Sequence, residues 1–335
     1  MAFNIYDETL TRGGEIKTIL SSTWAERYDD RGICQLVVNC SAAASRLLTV
    51  GRFVGQSGKK TLWQIKTREK RDGRLWVNGF TVNYTLLDDR VYAGMHTSNV
   101  IETDLRAAVM ESRPAQIVGL SSARGLTAST VSEHTYPTLF MLAKDLCGTA
   151  EYGFRFLHDK ENRKLLFDIY AGEEKPNAKF SERWGNLANL VLLQSETDYR
   201  NVAYVGGAGE GAERVYVSCG QTSLSGLKRH ELFVDARDIR KEEGQNQGDY
   251  ENLLRERGLQ KLNEHNRKLS VSFEVNPADF GSVYDLGDVV YCILPEEKLK
   301  LFVRVIAFEE TIEKNRKSLS ITIGSPIIQT TGGNV

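Results

Sequence analysis

Acidic residues beside a histidine give the sequence its first candidate chemistry. His230 lies in the segment RHELFVDARD, which also carries Glu231, Asp235 and Asp238. On a strand, where side chains alternate, residues 231 and 235 share one face, and their carboxylates could chelate a hard cation. The competing interpretation, which we favour, is a solvated strand edge whose charges discourage pairing with other strands.

A glycine-rich segment raises the possibility of nucleotide binding. Residues 206–211, GGAGEG, follow a predicted strand, as a dinucleotide-binding loop would. Their spacing is GxGxG rather than GxGxxG, and the strand-like ERVYVSCG comes next instead of a helix. Without a helix N-terminus there is no ring of amides to hold a pyrophosphate. We therefore predict a flexible hairpin tip.

The histidines and cysteines are too scattered to predict a metal site or a disulfide framework. No HxxxE, HExxH, HxH or CxxC pattern occurs, and no GxSxG motif is present. A glycosidase needs only two placed carboxylates, and 44 acidic residues leave that chemistry open. We predict no catalytic, cofactor-binding or metal-binding residues, and we expect the cysteines to be small core residues. The residues concerned are His96, His134, His158, His230 and His265, and Cys34, Cys40, Cys147, Cys219 and Cys292.

Composition excludes several function classes. The 335 residues are enough for about two or three domains. With 43 basic and 44 acidic residues the net charge is −1, so the broad positive field of a nucleic-acid-binding protein is missing. We interpret the local basic patch as solvated hairpin faces. Its members are Lys59, Lys60, Lys66, Arg68, Lys70 and Arg71.

The N-terminus and the hydropathy pattern predict where the chain is made. MAFNIYDETL lacks the charged start and apolar core of a signal peptide, and no apolar run reaches the ~20 residues of a membrane span. We therefore expect synthesis in the cytoplasm and no membrane span.

Strand patterns dominate residues 1–100. In WAERYDDRGICQLVV, residues 34, 36 and 38 fall on one face of a strand, and residues 29–32 predict a turn. Trp24 would lie on the preceding strand, and we favour a core anchor over a ligand-stacking residue. TLWQIKTREKRDGRLWVNGF predicts a hairpin that turns at Asp72-Gly73, with Gly79 closing its second arm before a short helix, TVNYTLLDDRVY.

Residues 101–178 predict a compact α+β unit. One helix begins with Thr103 as N-cap and stops at Pro114, and a second has Pro137 in its first turn and ends at Gly148. The apolar face of the second helix is Leu139, Leu142, Ala143 and Leu146. A second hairpin, YGFRFLHDKENRKLLFDIYAG, follows, and residues 173–179, EEKPNAK, predict an exit linker.

Residues 179–328 return to strands around one long helix. Two strands flank the GGAGEG tip, HELFVDARDI forms another, and a helix covers about residues 249–267. The apolar stripe of that helix is Leu253, Leu254, Gly258, Leu259 and Leu262. Four strands then run in succession, a meander typical of a small barrel or sandwich, before a frayed tail.

The opening motif resembles the N-terminal signature of baseplate-hub proteins from long-tailed, siphophage-like bacteriophages. Those chains often show a Trp, then Arg-Tyr-acid, then a Gly before an apolar strand, and the matching positions are Trp24, Arg27, Tyr28, Asp29 and Gly32. The resemblance continues through VNGFTVNYTLLDDRV, NVAYVGGAGEGAER, RHELFVDARDI and YDLGDVV, so it touches almost the whole chain. Cys34 departs from it, since an aromatic residue is common there.

The resemblance implies a fold and a role. It implies a β-rich α+β fold in which two tube-like β-barrel domains, residues 1–100 and 179–328, flank a smaller α+β unit, residues 101–178. It implies a homotrimeric structural protein of the virion, a hub that closes the distal end of the tail tube and adapts its sixfold symmetry to a threefold tip. By the same resemblance, Trp24, Arg27, Gly32 and Gly79 are structural anchors.

The implied partners are other tail proteins. They are the tail tube and distal tail proteins, the tape-measure protein and tip or receptor-binding proteins, with no cofactor and no nucleic-acid specificity. Two other classes stay open. The first is a tail-associated cell-wall hydrolase, and the second is a carbohydrate-binding or adhesion protein.

Overall fold

Alternating apolar residues form strands along most of the chain. The computed structural model describes residues 2–93, 99–112, 115–130, 136–314 and 316–324. The N-terminal strands are β1 (Phe3–Tyr6), β2 (Arg12–Ile16), β3 (Ser21–Arg27), β4 (Ile33–Asn39), β5 (Phe53–Gln56), β6 (Trp63–Arg71) and β7 (Arg74–Thr81). Two short helices accompany them, α1 (Ala42–Leu47) and α2 (Val82–Leu87).

Two longer helices and a small sheet make up the middle of the chain. In order, the elements are β8 (Asn99–Val100), α3 (Ile101–Glu111), β9 (Val118–Leu120), β10 (Ser129–Thr130), α4 (Leu139–Ala150), β11 (Gly153–Asp159) and β12 (Lys164–Tyr170). β11 and β12 form the predicted hairpin, and β9 joins β12 in parallel. The predicted apolar face of α4 is buried in the core that this sheet and helices share.

The remaining third is again mostly β. Its elements are β13 (Glu174–Phe180), β14 (Ala188–Ser195), β15 (Val202–Gly206), β16 (Tyr216–Gly220), β17 (Glu231–Asp235), α5 (Gln247–Glu264), β18 (Lys268–Val275), β19 (Val289–Leu294), β20 (Leu299–Glu313) and β21 (Arg316–Ile323). The strands around the glycine-rich tip, the long helix and the four final strands are thus where the sequence predicts them. Among the described helices, none is both long and apolar enough to cross a membrane.

One large sheet joins strands from both ends of the chain. Its strand order is β18-β21-β20-β3-β4-β7-β6-β5-β1-β2, and β19 pairs with both β20 and β13. The pairing of β20 with β3 joins the two ends of the chain. It places Glu310 opposite Trp24, although the two residues are far apart in the sequence. Within the described residues this pairing forms no closed barrel. The mainly β character is therefore confirmed, whereas the two-barrel arrangement stays a prediction.

The contacts divide the chain into two compact units. One contains Met1–Val191 together with Val271–Val335, and the other is Leu192–Ser270. This grouping differs from the predicted segments 1–100, 101–178 and 179–328, because β20 pairs with β3 of the N-terminal segment. Whether those three segments are separate domains stays a prediction.

Several local predictions about ends of elements are wrong. Helix α3 begins after Val100, upstream of Thr103, and α4 begins after Thr138, whose side chain accepts from the Met141 amide. Gly148 lies inside α4, which ends at a left-handed Glu151. Pro114, the predicted stop of the first helix, lies outside the described residues. The start of α4 is set locally, by a threonine N-cap that the proline in the sequence pattern obscured.

The predicted linker is a strand, and part of the predicted helix stripe is exposed. Residues 174–180 form β13 because they pair in parallel with β19, which lies more than a hundred residues away in sequence. On α5 the buried residues are Tyr250, Leu254, Gly258 and Leu262, whereas Leu253 and Leu259 are exposed. The sheet under α5 is only three strands wide, so it covers a narrower stripe than the apolar residues occupy.

Gly79 lies within β7 instead of closing it. It pairs with Cys34 on β4 and with Ile65 on β6, next to a bulge between Ile65 and Thr67. A Cβ atom at position 79 would overlap the backbone carbonyl of Gln64. Glycine is therefore required by close approach of the two strands, not by the turn that the sequence pattern indicated.

We predict opposite effects from two glycine-to-alanine substitutions. Gly79→Ala should lower the free energy of unfolding by about 1–3 kcal/mol, because the added methyl group forces the β6 backbone to move. Gly148→Ala is the control, since position 148 is an exposed helix site with space for a Cβ atom. It should raise stability by about 0.5–1 kcal/mol. Thermal melting of both variants would test this, and equal melting temperatures would contradict the close-approach argument.

Candidate functional site

Tyr28 connects three parts of the chain through both its backbone and its side chain. Its amide donates to the carbonyl of Ile306 (2.9 Å), and its carbonyl accepts from the amide of Phe154 (3.1 Å). The hydroxyl lies 3.0 Å from the carbonyl of Tyr170 and 3.1 Å from that of Glu151, so its single proton has two acceptors. The N-terminal strands, the α+β segment and β20 are thereby joined at one residue.

The ring of Tyr28 occupies space that glycines leave open. A Cβ atom on Gly153 or on Gly287 would overlap this ring. The amide of Gly172 donates to the hydroxyl (3.1 Å), and the Arg304 guanidinium lies 5.2 Å from the ring centre. Burial raises the pKa of Tyr28 to about 12, so the hydroxyl keeps its proton at neutral pH and remains a donor.

Trp24 lies in the core, as the sequence predicts. The side chain is 1% exposed, and its indole Nε1 donates to Glu26 Oε1 (2.6 Å). The same carboxylate oxygen accepts from Thr61 Oγ1 (2.6 Å). Both polar groups beside the ring therefore have partners, which a buried indole N–H requires.

The other predicted anchors differ in their surroundings. The amide of Gly32 donates to Thr81 Oγ1 (2.8 Å), and a Cβ atom at position 32 would overlap the carbonyl of Ala25. Arg27, in contrast, is exposed at the end of β3. The general role of Trp24, Arg27, Gly32 and Gly79 as anchors stays a prediction.

The buried carboxylate of Glu310 and its three polar partners lie between β5 and β20. We call this group of side chains the Glu310 seam. Glu310 is 3% exposed, and it accepts from the side-chain amide Nε2 of Gln56 and from the ammonium groups of Lys59 (3.2 Å) and Lys317 (2.9 Å). The ammonium group of Lys59 also lies 4.1 Å from the ring centre of Phe308. β5 and β20 are separated by β3, β4, β7 and β6 in the strand order, so the seam shows that these six strands curl back on themselves.

The partners of Glu310 keep it ionised. Burial alone would raise its pKa. The ammonium groups of Lys59 and Lys317 and the amide of Gln56 outweigh burial, and the pKa of this carboxyl lies below its usual value of 4.5.

A second buried carboxylate holds an irregular segment of the α+β region. Asp168 is 1% exposed and accepts two bonds from Arg124 (both 2.9 Å) and one from Arg155 (3.0 Å). Glu102, also buried, accepts from the amides of Arg124 (2.6 Å) and Leu126 (2.8 Å). These acids have structural partners that satisfy their charge.

The candidate cation site on β17 is not assembled. Each carboxylate pairs with a different arginine, namely Glu231 with Arg229 (2.5 Å), Asp235 with Arg214 (2.6 Å) and Asp238 with Arg257 (3.0 Å). In the described ranges no group of three or more His, Cys, Asp or Glu side chains could hold a metal ion. β17 is an edge strand and its carboxylates are exposed, which agrees with the edge interpretation.

The glycine-rich segment is a hairpin connection, as predicted. It joins β15 to β16 and contains one short 3₁₀ turn, Gly211–Glu213. The carbonyls of Gly206 and Gly207 accept from Arg214, so this turn binds its own chain.

Among the described residues, the cysteines form no disulfide, and the cysteines and histidines form no cluster that could hold a metal ion. Four cysteines are buried and Cys40 is partly buried, all with free thiols. Burial lowers the pKa of His158 to about 4, with a smaller effect of Lys160 in the same direction. His230 packs against Tyr199, and His96 and His134 lie outside the described residues. No local sequence signal marked Glu310 or Asp168, because their partners come from other strands and loops.

Comparison with known proteins assigns the fold and the family. The family described as Siphovirus ReqiPepy6 Gp37-like protein matches residues 2–325. The tail protein from Neisseria meningitidis MC58 superimposes with a TM-score of 0.61 at 10% identity, covering 97% of this chain and 96% of that chain. The 43 kDa tail protein of prophage MuSo2 from Shewanella oneidensis gives a TM-score of 0.59 at 10% identity, covering 96% and 98%.

A third structure shows the same fold. Prophage tail protein gp18 from Listeria monocytogenes EGD-e gives a TM-score of 0.55 at 11% identity, covering 97% of this chain and 94% of that chain. A search of curated proteins by sequence finds no match. At identities this low, the structural likeness establishes the fold alone.

We predict that Trp24→Ala strongly destabilises the chain. Removing this buried ring should cost about 3–5 kcal/mol through lost transfer energy and the cavity left behind. Trp184→Ala is the matched control, because Trp184 is 54% exposed and should tolerate truncation. Thermal melting of both variants distinguishes a core tryptophan from a surface residue. An unchanged melting temperature for Trp24→Ala would refute the core role.

We predict a pH-dependent effect of Glu310→Gln. At pH 7 the variant should lose about 1–3 kcal/mol, because Lys59 and Lys317 keep their charges without the carboxylate. Since the folded-state pKa of Glu310 is depressed, its stabilisation is fully present above the unfolded value of 4.5 and disappears as pH falls through the folded value.

The measurement is the melting temperature of wild type and variant between neutral and acid pH. The difference between the two should shrink below pH 4.5. Glu309→Gln is the control, since Glu309 is exposed on the neighbouring position of β20. A wild-type-to-variant difference that stays constant with pH would contradict the role of the ionised carboxylate.

Proposed function

The chain belongs to the siphovirus ReqiPepy6 Gp37-like family, and from this premise we propose that it is a structural tail protein that forms a baseplate hub. The observation that carries the proposal is the family match over residues 2–325, together with the fold shared with three tail proteins over nearly their whole length. The hub closes the distal end of the tail tube and adapts its sixfold symmetry to a threefold tip.

The acidic groups of the chain support a structural role. The buried carboxylates Glu310 and Asp168 are each held by two basic side chains. Glu231 and Asp235, the acids that the sequence singled out for chemistry, are each paired with an arginine. A hydrolase needs a carboxylate that is free to exchange a proton with its substrate, and each of these four carboxylates is engaged by at least one basic side chain. We therefore expect no enzymatic turnover on peptidoglycan.

The curled sheet of the N-terminal strands fits a tube-like element. Six strands from β20 to β5 turn back so that Glu310 meets Gln56 and Lys59. Three copies of a chain with two such elements would present six elements to a sixfold tube, which is the geometry of an adapter. The second tube-like element would come from the strands of residues 179–328 other than β20.

The hub assignment implies its partners and its place. The chain forms a homotrimer at the distal tail tip of the virion after synthesis in the host cytoplasm. It contacts the tail tube and distal tail proteins, the tape-measure protein and tip or receptor-binding proteins. It uses no cofactor and has no nucleic-acid specificity.

We predict that the purified chain forms a trimer by itself or with its tail tube protein. Light scattering across a concentration series should give three times the chain mass of 37.6 kDa, alone or bound to a tube ring. Electron micrographs of the complex should show threefold symmetry at the tube end. A monomer at high concentration that also fails to bind the tube would contradict the hub proposal. Turnover of peptidoglycan by the purified chain would favour the hydrolase alternative.

A further inference from the structure

The three-stranded sheet of the Leu192–Ser270 unit has one covered and one open face. Helix α5 packs on the side chains of Ala203, Val205 and Cys219, which alternate with residues on the other side. On that other side Tyr204, Tyr216 and Phe233 are 40%, 55% and 56% exposed. We call this side the aromatic face. β15 and β17 are parallel, and parallel strands are rarely left open to water on one side.

The aromatic face presents carboxylates, and two of the arginines that pair with them are largely covered. A third, Arg237, is 61% exposed and lies 3.6 Å from Asp235. Arg214 lies across Gly206 with its side chain 7% exposed, whereas its partner Asp235 is 52% exposed. Arg229 is 20% exposed, whereas its partner Glu231 is 47% exposed. The guanidinium groups lie beside the rings of Tyr204, Tyr216 and Phe233.

A partner approaching this face meets aromatic rings and carboxylate oxygens. Both groups attract cations, the rings through their quadrupole and the carboxylates through their charge. Aromatic and arginine side chains are also the groups that dominate protein interfaces. The chemistry of the face therefore favours a segment that carries lysine or arginine side chains.

This chain itself carries such a segment in the hairpin of β6 and β7. Its exposed residues include Arg68, Lys70, Arg71 and Arg74, and Arg71 pairs with Glu69 (3.5 Å). Among the described residues, no ion pair involves Arg68, Lys70 or Arg74. Arg68 and Lys70 are two positions apart, so they project from the same face of β6. We call this segment the basic hairpin.

We propose that the basic hairpin of one copy docks on the aromatic face of a second copy. The two surfaces are different, so the contact is heterologous, and three such contacts can close a ring by rotation. The inference rests on the proposed trimeric hub and names the surfaces that join its subunits. It also gives a role to Arg68, Lys70 and Arg71 of the basic patch, which the hub proposal leaves without one.

Charge exchange tests the contact without disturbing the core. Ser218 is exposed on the aromatic face and pairs with Tyr204 across the sheet, so Ser218→Lys adds a positive charge and leaves every ion pair intact. This change should weaken self-association of the full chain at least tenfold, because like charges then face each other. The hairpin variant Arg68→Glu with Lys70→Glu should have a similar effect. The three changes combined should associate more strongly than the hairpin variant alone, because the added lysine then faces the two new carboxylates.

Matched controls show whether the effect is local. Ser225→Lys adds the same charge in the exposed turn between β16 and β17, and Lys314→Glu with Arg316→Glu alters the turn between β20 and β21. Both controls should associate like wild type. Phe233→Ser removes an exposed ring without adding charge and should also weaken association. The readout is the association constant from sedimentation at about 0.15 M salt, with thermal melting as the check on folding.

The outcomes distinguish this contact from the hub proposal. A wild-type trimer that is insensitive to Ser218→Lys and Phe233→Ser overturns the contact but leaves the hub proposal standing. Failure of the combined variant to associate more strongly than the hairpin variant also overturns it. So does a trimer whose face variants lose only binding to the tube protein. A wild-type chain that never self-associates, even with its tube protein, contradicts both.

Discussion

Tyr28 is the residue on which the connection between distant segments depends. Its backbone joins β20 and β11, and its hydroxyl reaches the carbonyl of Tyr170 at the end of β12. A buried carbonyl or amide without a partner costs about 1–3 kcal/mol of folding free energy. Losing one of these bonds would therefore destabilise the fold by more than the bond's net contribution to stability. Gly153 and Gly287 leave room for the ring, so two positions far apart in the sequence are fitted to one side chain.

The Glu310 seam imposes a second constraint, on the curvature of the large sheet. Isolated charges are costly to bury, and Glu310 is accommodated because two ammonium groups and one amide surround it. Those partners come from β5, from the loop after it and from β21. Lys317 lies on the neighbouring strand and could reach Glu310 in a flat sheet, but Gln56 and Lys59 reach it only if the sheet turns back on itself. A flat sheet would therefore leave this buried charge with one of its three partners.

A structural role explains how the chain uses its acidic residues. The buried carboxylates bind basic side chains from other strands and loops. The carboxylates on β17 form ion pairs with arginines at the edge of a sheet. Family membership and fold agree with this use, because both point to tail proteins. The surfaces that remain open, the aromatic face and the basic hairpin, have complementary chemistry. They are where a subunit of an assembly would be expected to recognise its neighbours.

The sequence by itself determined the local elements. Asp72-Gly73 specifies its hairpin because both residues accept the left-handed backbone of a tight turn, and both have positive φ. Alternation in β4 and the apolar face of α4 identified their buried sides, and the motif around Trp24 led to the correct family. These features depend on neighbours a few positions apart. The strand at residues 174–180 escaped prediction because its pairing with the distant strand β19 overrides weak local propensity. The start of α4 was missed for a local reason, the N-cap at Thr138.

Only the tertiary structure decided the strand order and the partners of the buried charges. Nothing in FEETIE marks Glu310, because Gln56 and Lys59 lie some 250 positions away in sequence and meet it only after β20 has paired with β3. Likewise, the sequence placed Glu231 and Asp235 on one face, but it did not show that Asp235 pairs with Arg214, which lies 21 positions away. The alternation of apolar residues in a strand shows which of its faces is buried. Which strand it pairs with depends instead on the free energy of the whole sheet, and that is set by contacts between residues far apart in the chain.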